Sequence, residues 1–334
     1  MKIAIFSNDI NTLMNLLNYM EQKKVKYEVA LLSTSKLENK ELSFQDKILK
    51  IENINVYGDI PNIVIFSVPK VLTEKYIKKF IGKCIIIDES GWGLDTKNLE
   101  NSKLIIPNIN IKEINNIKNN EIVSFPNVTT IQLLGAINPL YDIGNIKRVV
   151  VSTYQSVSNL GKSAMDELFE HTKKIYENNF LPSKNFKKQI TFNVLPQIGD
   201  ISYNKQYEIE NRVIKESKII LNNDMKISIT CAMVPVFVGD CQSVNVEFDN
   251  DFNEKDIYDL YEDYDDSISV IDRFEDFVYA TPKEVALDDS VFISRIRRDN
   301  SLKYGLNLWS VADATTLRSK YMTELVLKII KMIS

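Results

Sequence analysis

Short apolar runs alternate with polar, helically spaced stretches through the first third of the chain. Ile3-Ala4-Ile5-Phe6 reads as a buried strand, Leu13, Leu16, Leu17 and Met20 recur at helical spacing, and Tyr27 to Leu32 returns to a strand. That sequence of elements is a βαβ unit. Ile63 to Ser67, Cys84 to Asp88 and Leu104 to Ile106 add further strands. Their continuous apolar character predicts a parallel sheet covered on both faces, hence a doubly wound α/β domain.

From about residue 128 the pattern changes. Arg148 to Tyr154, Gln189 to Val194, Met225 to Thr230 and Ser243 to Phe248 read as longer, alternating strands of a mixed or antiparallel sheet. Between them Met165, Leu168, Phe169, Thr172 and Tyr176 form one stripe of an amphipathic helix, which places the neighbouring His171 on the surface. Met322, Leu325, Val326, Ile329, Ile330 and Ile333 line one face of a final helix, which must dock on another element. The second half is therefore expected to be α+β.

Composition narrows the chemistry. The 334 residues include 10 glycines, 3 cysteines and a single histidine, at a formal net charge of -4. His-rich metal sites are excluded, and any mechanism needing an imidazole would have to use His171. Charges of both signs are interspersed and no apolar run approaches the ~20 residues of a membrane span, so neither nucleic acid nor membrane is an expected partner. Cys84, Cys231 and Cys241 form no paired motif and read as reduced thiols, and the first residues carry no secretory pattern, so a cytoplasmic location is expected. The acidic stretch Tyr258 to Asp266 lacks the turn glycine of a calcium loop and reads as solvated surface, leaving no metal site.

Several segments, in order along nearly the whole chain, resemble the aspartate-semialdehyde dehydrogenases: Val151 to Ser158, Phe192 to Gly199, Val234 to Phe237, Arg295 to Asp299, Gly305 to Trp309 and Ala312-Asp313. The resemblance implies a Rossmann-like NADP-binding domain over residues 1–127, completed by a C-terminal helix over 313–334. It implies a glyceraldehyde-3-phosphate-dehydrogenase-like α+β dimerisation domain over 128–312. It also implies reductive dephosphorylation of β-aspartyl phosphate by NADPH, in which a cysteine thiolate attacks the acyl phosphate, a histidine handles protons and arginines hold the anionic groups.

Compared position by position, the residues of that chemistry are replaced. Ser7, Ile10 and Leu13 stand at the three glycines of the phosphate loop, and Asp9 adds a negative charge beside the expected phosphates. Ser67-Val68-Pro69-Lys70 replaces a second glycine-rich turn, and Lys36 is the candidate for the ribose 2′-phosphate. Val128 occupies the place of the nucleophilic cysteine, Asp240 that of the histidine and Met233 that of a substrate arginine. A second arginine, expected after Asp88-Glu89-Ser90, is missing from Gly91 to Leu94. Arg212 replaces a substrate-binding lysine, with Ile209 at its acidic partner's place and Glu208 or Glu210 nearby, while Gln155 is retained.

The expected function is that of a catalytically inactive or strongly impaired homologue, needing no cofactor. It would act as a homodimer or pair with an active paralogue. The alternative is an active NADP-dependent oxidoreductase with relocated chemistry, for which Cys241 beside Asp240 is the candidate; the adjacent carboxylate would raise the thiol pKa.

Overall fold

The computed structural model describes residues 1–95, 102–117, 121–179, 181–202 and 204–333. They form two compact units, one made of residues 1–127 with the chain from Arg318 onward, the other of Val128–Leu317.

The first unit is built on an eight-stranded sheet: β1 (Lys2–Ser7), β2 (Glu28–Ser33), β3 (Glu41–Phe44), β4 (Lys47–Asn53), β5 (Ile63–Ser67), β6 (Ile85–Asp88), β7 (Ser102–Leu104) and β8 (Ile122–Ser124). Their order is β3-β4-β2-β1-β5-β6-β8-β7, with every pair parallel except β3 and β4. Ile3 to Phe6 and Ile63 to Phe66 are fully buried, as strands covered on both faces must be. The order reverses between β1 and β5, which is where open α/β sheets leave a crevice at the strands' carboxyl ends. The helices α1 (Ile10–Gln22) and α2 (Lys70–Tyr76) follow β1 and β5.

The β3-β4 hairpin lies outside the sequence expectation. Its two turn residues, Gln45 and Asp46, both take positive φ, at 49° and 60°, a mirror-image turn usually signalled by glycine or asparagine. The strand expected at Leu104–Ile106 is also shifted, because pairing ends at Leu104 while Ile105 and Ile106 stay buried in a connecting segment.

The second unit carries a six-stranded mixed sheet in the order β10-β9-β11-β16-β15-β12. Its strands are β9 (Ile146–Gln155), β10 (Lys226–Met233), β11 (Asp240–Phe248), β12 (Ile268–Val270), β15 (Val291–Asp299) and β16 (Gly305–Ala312), with a separate ribbon of β13 (Asp272–Arg273) and β14 (Val278–Tyr279). On one face Val149, Val151, Thr153 and Gln155 are buried. There α3 (Val128–Ile137) packs on β15 and β16, and α5 (Glu208–Leu221) on β10. The opposite face presents Ser152, Tyr154, Ser243, Asn245 and Trp309 and is only partly covered. Two further helices are α4 (Lys162–Tyr176) and α6 (Glu254–Glu262).

Two expectations for this unit are corrected. Gln189 to Val194 is not a strand: Phe192 turns into the left-handed region at φ 55°, and only Leu195 bridges to Met233. The buried stripe of α4 is Ala164, Leu168 and His171, so His171 lies inside while Phe169 and Tyr176 are 58% and 77% exposed. Periodicity found the helix but took the aromatic side chains for its inner face. The acidic stretch belongs partly to α6, whose Tyr261 is fully buried and donates its hydroxyl to the Ala136 carbonyl at 2.6 Å.

The last helix, α7 (Ala314–Ile333), buries Leu317, Tyr321, Met322, Leu325, Val326, Ile329 and Ile330. The division between the two units falls within it, at Arg318, rather than before it, and residue 334 lies outside the described residues. No helix among the described residues is long and apolar enough to cross a membrane. The architecture is a Rossmann-like α/β unit joined to an α+β unit.

Candidate functional site

The crevice end of the first unit is crowded with the chain's own polar groups. Ser7, fully buried at the end of β1, accepts a hydrogen bond from the Asp9 N–H at 3.1 Å. Asp9 caps α1, its carboxylate accepting from the N–H and the hydroxyl of Thr12, each at 2.9 Å. A helix N-terminus presents orphan N–H donors and partial positive charge that favour an anion. Here an internal carboxylate takes that place.

The other positions that the resemblance assigns to a phosphate loop point elsewhere. Leu13 is wholly buried in the core and Ile10 is half-buried at the helix start. The Asn8 side-chain carbonyl accepts from the Ser33 hydroxyl at 2.7 Å and from the N–H and hydroxyl of Thr34 at 2.9 and 3.0 Å, which binds the turn after β2 back to β1. Lys36 is exposed beyond that turn.

Arg318 reaches the same place from α7. Its Nε is ion-paired with Glu89, its Nη2 donates to the Ser67 hydroxyl and its Nη1 to the Thr12 hydroxyl, the last at 3.2 Å. Ser67 in turn donates to the second Glu89 oxygen at 2.7 Å. The loop after β6, which contains no arginine, is organised by buried Asp88, which accepts from Ser90 and from the Gly93 N–H at 2.8 Å.

In the second unit Val128 opens α3, an aliphatic side chain at a helix N-terminus. The next residue, Thr129, is buried and its hydroxyl accepts from the Gln155 amide at 3.1 Å; Gln155 also donates to Thr153 at 3.2 Å. Thr130 donates to Glu216, which is fully buried and accepts from Arg212 Nε at 2.6 Å. The acidic partner of Arg212 is therefore Glu216, one turn further along α5, and not the nearer Glu208 or Glu210. Glu210 is committed elsewhere, accepting from the N–H groups of Tyr207 at 2.9 Å and Cys231 at 3.0 Å. Met233 is packed into a cluster with Val157, Leu168, Phe186 and Leu195 and offers no charge.

Asp240 begins β11 and is buried. One oxygen accepts from the N–H and hydroxyl of Ser156 at 2.7 and 2.8 Å, the other from the Asn159 amide at 2.6 Å. Burial pushes its carboxyl up to about 6, opposed by those hydrogen bonds and assisted by the nearby charge of Asp313. Gly239, immediately before it, has φ 97° and lies so close to Pro282 that a Cβ would approach the Pro282 Cα to 2.7 Å.

Strand alternation turns Cys241 away from Asp240, onto the face where Ala280, Val285, Phe292 and Val311 surround it. Burial, with a smaller contribution from Asp240, pushes its thiol up to about 12. Burial likewise raises Cys84 and Cys231 to about 12. Thiols held protonated in this way are poor nucleophiles.

Sequence reasoning missed Glu216 and Arg318. Glu216 was within reach, because its four-residue spacing from Arg212 puts both on one helix face. Arg318 carried no local signal, since its partners come from three distant segments.

The family profile described as "Semialdehyde dehydrogenase, dimerisation domain" matches residues 137–317. The chain is 36% identical over 277 residues to an aspartate-semialdehyde dehydrogenase of Rickettsia bellii, covering 82% of this chain and 80% of that protein. It is 32% identical over 293 residues to the Aquifex aeolicus aspartate-semialdehyde dehydrogenase, covering 86% and 84%. Among solved structures, aspartate semialdehyde dehydrogenase II from Vibrio cholerae superposes with a TM-score of 0.89 at 28% identity, over 99% of this chain and 98% of that one.

Proposed function

The chain belongs to the aspartate-semialdehyde dehydrogenase family, and from that membership we propose that it has kept the family's scaffold and lost its chemistry. Asp240 carries this reading. It stands at the position that the resemblance gives to the catalytic histidine, and both its oxygens are occupied by Ser156 and Asn159. It is buried and three of its roughly four lone-pair sites already accept from Ser156 and Asn159, so this carboxylate is committed to holding a turn rather than to meeting a substrate proton. Val128, at the position that the resemblance gives to the cysteine, cannot form a thioester, and the buried hydroxyl of Thr129 beside it accepts from the Gln155 amide.

The remaining substitutions agree. Met233 is core, Arg212 is bound to Glu216, and the residues around α1 do not fit the nicotinamide dinucleotide that the fold implies. Relocated chemistry at Cys241 and Asp240 finds no support, because the two side chains lie on opposite faces of β11.

What the scaffold offers is pairing. The partly covered face of the six-stranded sheet, with Tyr154 and Trp309 in contact at 5.7 Å between ring centroids, is the surface on which two copies would meet. A homodimer is the primary expectation, and pairing with an active paralogue is its variant. The deciding experiment assays the purified protein for phosphate-dependent NADPH formation from aspartate semialdehyde. No turnover above background is expected, and robust turnover would overturn the reading.

A further inference from the structure

We propose that Arg318 is a built-in occupant of the cofactor crevice, a latch that closes the first unit to dinucleotides and does the holding that a bound dinucleotide would otherwise do. The inference deepens the reading above, from lost chemistry to a closed cofactor site.

The crevice of a doubly wound sheet lies at the carboxyl ends of the strands where their order reverses, here between β1 and β5. A dinucleotide placed there would set its pyrophosphate on the N-terminus of α1 and pass across the end of β5. A group of the chain itself already stands at each contact point. Asp9 uses the Thr12 N–H, and the Thr12 hydroxyl that completes this cap also accepts from Arg318. At β5 the Ser67 hydroxyl accepts from Arg318 while donating to Glu89.

The groups form one continuous chain: Asp9, Thr12, Arg318, Ser67, Glu89. Each hydroxyl both donates and accepts, and the guanidinium fork is directed at three partners, a geometry that arginine fills and lysine does not. The ionic side chains at its centre, Arg318 and Glu89, are only 21% and 19% exposed, so solvent screens them weakly. The chain contains two carboxylates and one guanidinium. Asp9 sets one of those carboxylates on the α1 N-terminus, where a pyrophosphate would bring more negative charge, so electrostatics and occupancy both oppose entry.

The network ties α7 to the start of α1, the end of β5 and the loop after β6, which are four separate segments of the unit. Shared hydrogen-bond networks of this kind are lost as a unit, so their members should be strongly non-additive.

The test uses the full-length protein with NADP, NADPH and NAD as probes, followed by calorimetry and thermal unfolding. For the unmodified chain, no saturable heat and no shift in Tm are expected up to millimolar nucleotide. R318A should lower Tm by about 5 °C, R318K should recover little of that loss, and adding E89A to R318A should lower Tm little further. The double variant D9G/R318A, which frees the α1 N-terminus and the crevice together, should gain measurable NADP binding. Saturable micromolar binding to the unmodified protein would overturn the latch, as would additive losses for R318A and E89A. If R318A fails to fold, the titration of the unmodified chain still decides. Nucleotide binding without turnover would remove the latch and leave the inactive-enzyme reading standing, whereas turnover would remove both.

Discussion

Thr130, in the first turn of α3, donates its hydroxyl to the fully buried carboxylate of Glu216 on α5. Glu216 takes Arg212 on its other oxygen, so one acid joins two helices and neutralises a largely buried cation. Removing Glu216 takes this buried acceptor from both Arg212 and Thr130, and breaking a buried pair from one side costs about 3–5 kcal/mol. E216A should therefore lower stability by that amount in urea unfolding. E216L/R212M, which removes both charges, should recover most of it. If E216A unfolds at the unmodified urea midpoint, the pair has no structural role.

Asp240 gives a pH dependence of unusual sign. Burial raises its folded pKa from 3.8 to about 6. Between those values the folded chain retains a proton that the unfolded chain has released, so this residue's contribution to stability falls as pH rises from about 4 to about 6 and is fully lost above that. A rise of that size corresponds to roughly 3 kcal/mol. D240N cannot ionise, so the stability of D240N relative to the unmodified protein should rise through the same interval. Urea midpoints at pH 4.5, 5.5 and 7 measure it; a D240N stability that stays constant or falls relative to the unmodified protein as pH rises would contradict the assignment.

Gly239 should be intolerant of substitution for two reasons that act together. Its φ of 97° is costly for any L side chain, and a Cβ would meet the Pro282 backbone at 2.7 Å. G239A is expected to cost about 3 kcal/mol and to disturb the Asp240 contacts with Ser156 and Asn159. The check is thermal unfolding combined with amide exchange at Ser156, whose N–H should lose protection first.

V128C places a thiol at the N-terminus of α3, at the position that the resemblance gives to the nucleophile, and changes nothing else around it. The helix dipole should lower its pKa below the usual value of about 8.5, while the native thiols stay buried and protonated. Iodoacetamide at pH 7 should label the introduced thiol before Cys84, Cys231 or Cys241, and the labelled or free variant should still show no dehydrogenase turnover. Activity in V128C would mean that Asp240 or another group can act as a base.

S243R tests the pairing surface. Ser243 is exposed at the centre of the partly covered sheet face, beside Ser152 and Trp309 in register. The unmodified protein should sediment at twice the 38.5 kDa chain mass, and S243R at the single mass with unchanged secondary structure. A dimer that survives S243R would place the interface elsewhere.

Strands β1, β2, β5 and β6 were legible in the sequence because they are written in apolar runs that become buried, as in Ile3 to Phe6 and Ile63 to Phe66. The β3-β4 hairpin was not, because Gln45 and Asp46 adopt a turn that their side chains do not advertise. In the candidate site, motif comparison located Val128, Met233 and Asp240 without saying what those side chains now do. That needed the partners: Ser156 and Asn159 for Asp240, the Leu195 cluster for Met233. Glu216 could have been found from helical spacing, whereas Arg318 depends on contacts between distant segments that no local pattern encodes.

The break of the first unit into two pieces also sets an order of assembly. Its sheet is synthesised first, but α7, which supplies Leu325, Val326, Ile329 and Ile330 to its core, is synthesised only after the whole of residues 128–317. On the ribosome the continuous second unit can fold as soon as it emerges, while the earlier strands wait with an apolar surface uncovered. The ion pair of Arg318 with Glu89 can therefore form only after residues 128–317 have been synthesised.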